Sequence, residues 1–482
     1  MLTHELLFVG GRWTAPDGDE RIEVVSPATE SPIGRVPLGS KADLDRAVAA
    51  ARTAFDSGPW PSTPPTERAA AVGRLSAAVR ARADEFADIL TSEVGTPRKL
   101  SPFVQVGTAR GVLDAYARFA ADYPWSETRK GTRGATVRVR QVPVGVVAAI
   151  VPWNTPLFVT ALKLAPALVA GATVVLKPPV ETPLHSYLLA EAAVEAGIPE
   201  GVLSIVPSGA EGGEHLVRHP GVDKVSFTGS TAVGRRIGEL CGNDVRRCTL
   251  ELGGKSAAVL LDDVELTRAV VGQLVGGAMT NSGQVCTSLS RLLVPRERYD
   301  EVVGALAEAV GALRAGDPYD PATDLGPLVT ARQRQRVEHY VAAGRDEGAR
   351  LVVGGGRPKG LDRGWYVEPT LFADVDPKTT IAREEIFGPV LTVTPYESEQ
   401  HAVDIANDSD YGLAGAVWTT DPDRGEAVAT RIRAGVVAVN SSAPLDTCAP
   451  FGGFKRSGIG RESGPEGISA YTEFQTIVLP AS

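Results

Sequence analysis

The sequence is poor in cysteine and histidine. Across 482 residues the cysteines are Cys241, Cys248, Cys286 and Cys448, and no two of them form a C-x-x-C pair. That excludes a disulfide framework and points to a reducing compartment with no structural metal. The six histidines are scattered, and none stands beside a cysteine at metal-ligand spacing. No run of eighteen apolar residues offers a membrane span. The opening stretch MLTHELLFVGGRW lacks a basic start, and its apolar run is too short for a secretory signal. The net charge of −9 argues against a nucleic-acid binder, which would carry a basic patch. What is present is ordinary globular composition, 43% hydrophobic and 22% charged, in a chain long enough for two or three domains. The expectation is a cytoplasmic protein.

The residues from about Ala42 to Ala121 read as mostly helical. Asp43 is placed as the N-cap of LDRAVAAARTAF, and ERAAAVGRLSAAVRARADEFADIL reads as one further helix after a Pro-rich break. From Val144 the rhythm changes. VGVVAAIVP, GATVVLKP, GVLSIVP, VDKVSFTGS and CTLELGG are short apolar runs separated by helix-like stretches. That alternation means βαβ units and a parallel sheet covered on both faces, with ligands at the carboxyl ends of the strands. A second α/β series follows Gly254. Two further strands fit neither series, Thr136–Val142 and the tail AYTEFQTIVLP. They read equally as an arm reaching another subunit and as a ribbon on one chain.

Candidate chemistry lies at the strand ends. Cys286 sits in NSGQVCTSLSR, a run too polar for an apolar core, and backbone N–H groups can activate a thiol that has no histidine beside it. As a bare cysteine it reads first as a packing residue, because free cysteine is among the most buried residue types. Asn154 in PWN can present an amide to an oxyanion, or simply make a turn before Pro156. Glu251 in ELGGK can reach a water as general base, or mark a strand–loop junction. FTGSTAVG, Phe227–Gly234, is a strand, a glycine turn and a helix start whose N–H groups suit a phosphate. Lys177 follows the strand VVLK.

In this order the motifs resemble one family. PWN, the KP at Lys177, FTGSTAVG, ELGGKS, GQVC, EEIFGPV and PFGGFKRSGIGRE are similar to those of the NAD(P)-dependent aldehyde dehydrogenases, and they span nearly the whole chain. The resemblance implies an α/β fold with two doubly wound domains and a small β arm. Residues 1–122 and 144–252 would form a Rossmann-like NAD(P)-binding domain and 253–464 the catalytic domain. Residues 123–143 and 465–482 would form an oligomerisation arm, giving a homodimer or homotetramer. On the family pattern Cys286 is the nucleophile, Asn154 and the Cys286 N–H hold the oxyanion, and Glu251 activates water. Lys163 matches a family lysine that helps hold the cofactor and tune the thiol.

For NAD or NADP, the resemblance places Lys177 at the adenosine ribose and Gly209 and Gly213 along the adenosine site. Ser230, with the helix after it, faces the pyrophosphate, and Phe227, Gly229 and Leu252 are further cofactor-binding positions. Glu385 and Phe387 meet the nicotinamide end, and Ile150, Pro152 and Trp153 line the cleft. Many NAD-preferring members carry a glutamate three residues after the matching lysine; here Val180 stands there and Glu181 follows it. The aldehyde tunnel falls near Thr155, Val159, Leu162 and Val285, and near Thr287, Leu445 and Phe451. These are mostly apolar, with no arginine to hold a second carboxylate and no aromatic cage for a quaternary ammonium. The expected substrate is an apolar aliphatic or aromatic aldehyde. Three rivals stand beside this reading. They are a coenzyme-A-acylating enzyme, for which the water-activating Glu251 would be unwanted, a thiol esterase, and a non-catalytic protein on the same fold.

Overall fold

The computed structural model describes residues 1–443 and 445–480; the last two residues of the expected arm lie outside the described residues. An eight-stranded sheet organises the first half. Five of its strands are parallel, in the spatial order 247–251, 224–228, 146–150, 173–177, 203–205. Chain order reverses between Val146–Ile150 and Lys224–Thr228, so a crevice opens beyond the paired residues Ile150 and Phe227. The strands are buried on both faces and their sequences are correspondingly continuous in Val, Ala, Ile and Leu. The helix Pro156–Ala170 is apolar all round, and every residue but Phe158 is buried.

Two sequence-remote pieces complete this sheet. Leu7–Val9 and Arg12–Thr14 form a hairpin on one edge, turned by Gly10 and Gly11 at φ 59° and 83°, the left-handed pair that a two-residue hairpin turn requires. On the other edge, Gly458–Ile459 pairs antiparallel with Leu250 and Glu251. The second half is built on a seven-stranded sheet, with six parallel strands and Arg350–Val353 antiparallel at its edge.

The helical reading of residues 42–121 needs two corrections. The N-cap is Ser40, whose side chain accepts the Asp43 N–H while the Asp43 carboxylate accepts the Ser40 N–H; Asp43 is the third residue of a capping box. The long stretch after the Pro-rich break is two helices, Pro65–Ala81 and Ala83–Val94, because Arg82 leaves helical geometry between them. Thr136–Pro143 and Thr472–Leu479 pair antiparallel on one chain, with Ser126–Lys130 as a third strand. Thr472–Leu479 remains an edge, and it exposes Phe474 and Val478. Among the described residues no helix is long and apolar enough to cross a membrane.

Candidate active site

The carboxyl ends of the parallel strands carry Asn154, Ser230 and Glu251 to one crevice, and the second half supplies Cys286. The turn before Cys286 is unusual. Asn281, Ser282 and Gly283 are consecutively left-handed, at φ 54°, 56° and 71°. Such backbone persists only when its surroundings hold it. Here the Asn281 side chain donates to the Asn154 carbonyl at 3.1 Å and accepts from Thr96 Oγ1 at 2.7 Å. Gln284 accepts the Val329 N–H through Oε1 at 3.0 Å. A Cβ on Gly283 would lie 2.0 Å from the Gly388 carbonyl oxygen, so this position admits only glycine. The Asn154 amide donates to the Gln284 carbonyl at 2.8 Å, two residues from the thiol, and this spends one of its two N–H groups.

The Cys286 thiol is half-buried and is pushed up to about 12, chiefly by burial, with the charges of Glu385 and Glu251 adding. The N–H groups of Thr287 and of Cys286 itself face the sulfur and pull the other way. Glu251 is buried, and neither carboxylate oxygen has a hydrogen-bond partner among the described residues. Burial raises it well above the usual carboxylate range, Glu462 raises it further, and Lys163 and Arg461 oppose. Lys163 itself is engaged elsewhere: its ammonium donates to Glu462 at 2.6 Å and to Ser226 at 3.3 Å. Of the expected catalytic groups it is Glu251 that feels this charge.

The crevice fits a dinucleotide. Ser230 caps the helix Thr231–Asn243 and accepts the Val233 N–H, leaving the helix N-terminus facing the strand ends. A Cβ on Gly234 would meet Leu252 at 2.3 Å, and one on Gly229 would meet the Phe227 ring at 2.5 Å, so the turn is pressed against the sheet. Lys177 lies beside Gly213 in the helix Ala210–Arg218, whose N-cap is Gly209. Burial lowers its ammonium to about 8, and its one hydrogen bond among the described residues is long, 3.4 Å to the Pro178 carbonyl. Ser208 Oγ and Thr228 Oγ1 are also buried without partners among the described residues. These are donors left for a polar ligand. Pro152 is half-buried, as is Trp153, whose ring meets Phe387 edge-on at 5.3 Å. Phe387 is left-handed at φ 63°, and Glu385 accepts the Gly254 N–H at 3.1 Å. Gly253 and Gly254 are the close-approach residues of ELGGK. A Cβ on the first would strike the Glu385 carboxylate, and one on the second the Cys286 carbonyl oxygen, each at 2.5 Å.

The residues expected along the tunnel fall into two groups. Val159 and Leu162 are buried in the main apolar core. Thr155, at the start of their helix, and Val285 are half-buried, Thr287 is buried beside Cys286, and Leu445 is exposed. Phe451 is buried and exchanges backbone hydrogen bonds with Glu462. Sequence reasoning did not single out Glu462, although it ends the quoted motif PFGGFKRSGIGRE. It also passed over Gln105, which donates to the Asn154 carbonyl at 2.9 Å from a π-helical turn, Pro102–Gly107, that no apolar periodicity reveals. Lys255 was quoted but given no role. It is fully buried, its ammonium has no partner among the described residues, and burial lowers it to about 7. Among the described residues no three His, Cys, Asp or Glu gather where they could hold a metal ion.

A dinucleotide crevice opening onto a thiol, an amide and a carboxylate is the arrangement of a nicotinamide-dependent oxidoreductase that works through cysteine. The comparisons give the family. The profile of the aldehyde dehydrogenase family matches residues 13–477, and the chain belongs to that family of NAD(P)-dependent oxidoreductases. It is 48% identical over 478 residues, 99% of either chain, to a geranial dehydrogenase of Castellaniella defragrans. An aldehyde dehydrogenase of Mycobacterium tuberculosis, solved with NAD+, superposes with a TM-score of 0.98 at 50% identity, covering 100% of this chain and 99% of that one. A mutant aldehyde dehydrogenase C of Pseudomonas syringae, solved with NAD+ and octanal, gives 0.95 at 40% identity, covering 98% and 96%.

Proposed function

We propose that this enzyme oxidises an apolar aldehyde to its carboxylic acid through a thioester on Cys286, released by water that Glu251 activates. The observation that carries this reading is the Glu251 carboxylate, buried at a strand end without a hydrogen-bond partner among the described residues, with its charge felt by the Cys286 thiol. The thiolate attacks the aldehyde carbon, and the free N–H of Asn154 and the backbone N–H of Cys286 stabilise the oxyanion of the thiohemiacetal. The nicotinamide, when bound, supplies the hydride acceptor. Glu251 then takes a proton from water as that water attacks the thioester carbon, and the acid leaves with Cys286 restored. Lys177, Ser230, Gly209, Gly213, Glu385 and Phe387 hold the dinucleotide.

Substrate and cofactor choice rest on narrower grounds. A relative named for geranial and a neighbour solved with octanal, together with the largely apolar residues assigned to the tunnel, support an apolar aldehyde. Val180 puts no carboxylate against a 2′-phosphate, and Glu181 leans toward Arg332, 3.8 Å away. NADP is therefore accepted alongside NAD. The arm strands support a homo-oligomer, and the shortage of cysteine a cytoplasmic location.

The test is absorbance at 340 nm with octanal, geranial, betaine aldehyde and succinic semialdehyde, with each cofactor, without coenzyme A, and with Cys286→Ala as control. A signal with the first two that vanishes in the variant is expected. Turnover only after coenzyme A is added would overturn the hydrolytic step. An NADP efficiency about a thousandfold below that of NAD, some 4 kcal/mol, would overturn the reading of Val180.

A further inference from the structure

The Asn154 carbonyl closes a ring of buried polar groups that also takes in Gln105, Thr96 and Asn281. Gln105 Nε2 donates to that carbonyl at 2.9 Å and to Thr96 Oγ1 at 2.9 Å, which uses both of its N–H groups. The Thr96 hydroxyl donates to Asn281 Oδ1 at 2.7 Å, and the Asn281 amide donates back to the Asn154 carbonyl at 3.1 Å. A carbonyl only accepts, so it fixes which way both amides point, and the Thr96 proton follows from them.

The ring joins segments remote in sequence. Thr96 follows Gly95, the left-handed C-cap of the helix Ala83–Val94. A Cβ on Gly326 would lie 1.8 Å from the Gly95 carbonyl oxygen, and the Gly326 carbonyl accepts the Ser282 hydroxyl at 2.8 Å. A second contact thus ties Thr96 and the thiol turn together. Gln105 lies in the π turn, where the Thr108 N–H reaches back to the Phe103 carbonyl. Such turns recur at functional sites, and the extra residue re-aims the side chains around it. Gln105 Oε1 is buried with no partner among the described residues. An acceptor buried in this way costs stability, so stability alone does not account for a glutamine here.

We propose that Gln105 is a positioning residue that aims the Asn154 amide at the oxyanion formed beside Cys286. This rests on the oxyanion role proposed for Asn154. That residue is held at both ends, its backbone carbonyl by Gln105 and Asn281 and its side chain by the Gln284 carbonyl at 2.8 Å. The remaining amide N–H is thereby given a direction. Without Gln105 the carbonyl is held by Asn281 alone, and a donor that drifts from the oxyanion forfeits rate rather than binding.

The experiment measures kcat, KM and Tm at 340 nm, with NAD and the best aldehyde of the panel above, for Gln105→Met, Thr96→Val and the two combined. Gln105→Met is also placed in the Asn154→Ala enzyme. Methionine matches glutamine in length and carries no donor. The expected kcat falls about tenfold with KM within about threefold. Tm holds or rises, because the unpaired Oε1 goes and the Asn154 carbonyl keeps its Asn281 bond. Thr96→Val lowers kcat as well, and the double variant loses no more than the worse single one, since both break one ring. In the Asn154→Ala enzyme Gln105→Met costs under about twofold, because its target is already gone. A wild-type kcat in Gln105→Met beside a tenfold or greater loss in Asn154→Ala would overturn the positioning role alone. So would an undiminished cost in the Asn154→Ala enzyme, which would show that Gln105 acts elsewhere. A wild-type kcat in Asn154→Ala itself would overturn the oxyanion reading, and the proposal with it. Should Gln105→Met fail to fold, Thr96→Val in the same two enzymes carries the test with the same outcomes.

Discussion

Replacing Asn154 by alanine separates the amide's two possible jobs. The backbone carbonyl of Asn154 accepts from Gln105 and Asn281, and alanine keeps that carbonyl, so the frame of the thiol turn survives. What is lost is the side-chain amide, whose one N–H is spent on the Gln284 carbonyl and whose other meets no acceptor among the described residues. Losing the first costs about 1 kcal/mol of stability, the net worth of an ordinary hydrogen bond. Losing the second removes one oxyanion donor, which costs roughly 10²–10³ in kcat, or about 3–4 kcal/mol of transition-state stabilisation. The Cys286 N–H remains and sets the residual rate. The assay is kcat and KM at 340 nm with octanal, beside thermal unfolding of the same preparation. A small fall in Tm with a large fall in kcat is expected. A folded variant that raised KM while leaving kcat within about threefold would show that Asn154 binds ground state and transition state alike, and would refute the oxyanion role.

Other perturbations read the remaining groups. Glu251→Gln should stall the thioester: a burst of one reduced cofactor per site should persist while steady turnover falls about 10²–10⁴-fold, and loss of the burst as well would place Glu251 in thiol activation too. Because the role proposed for Glu251 needs its carboxylate, and burial raises its affinity for the proton, activity should climb with pH through a limb above the ordinary carboxylate range. Lys163→Met removes the opposing cation and should move that limb to higher pH; Glu462→Gln removes the neighbouring anion and should move it lower, and equal shifts of the same sign would contradict the electrostatic account. Phe474→Lys with Val478→Lys charges the exposed arm edge and should yield smaller particles by light scattering, an unchanged assembly disproving pairing through that edge.

Where one rule acted locally, the sequence was readable. The five parallel strands were visible because burial on both faces demands unbroken apolar runs, and the helix start in FTGSTAVG because a glycine turn precedes it. Contacts between remote segments were not readable. Nothing in the eight residues from Leu7 to Thr14 says that their hairpin closes the edge of a sheet whose other strands begin at Val146. The Lys163–Glu462 pair joins residues 299 apart, so a lysine on an apolar helix could be quoted while its partner was passed over. Asp43 was misplaced because a capping box shares two bonds between two residues, and the acidic one is the easier to notice.

A thiol usually takes a histidine as its base, and in water a carboxylate is a weaker base than a thiolate by about four pKa units. Burial raises Cys286 and Glu251 together, so burial does not close that gap. The two groups differ in hydrogen bonding. The N–H groups of Thr287 and Cys286 face the sulfur and favour its thiolate against the burial, whereas Glu251 has no partner among the described residues and has Glu462 as a neighbour. Backbone N–H groups can thus prepare the thiol without a side-chain base, and the proposed mechanism leaves Glu251 to take its proton from water once the thioester has formed. That division of labour is why Glu251→Gln should spare the burst while stopping turnover. The glycines of ELGGK let the strand end press against Cys286 and Glu385, which keeps the Glu251 carboxylate where its charge is felt by the thiol.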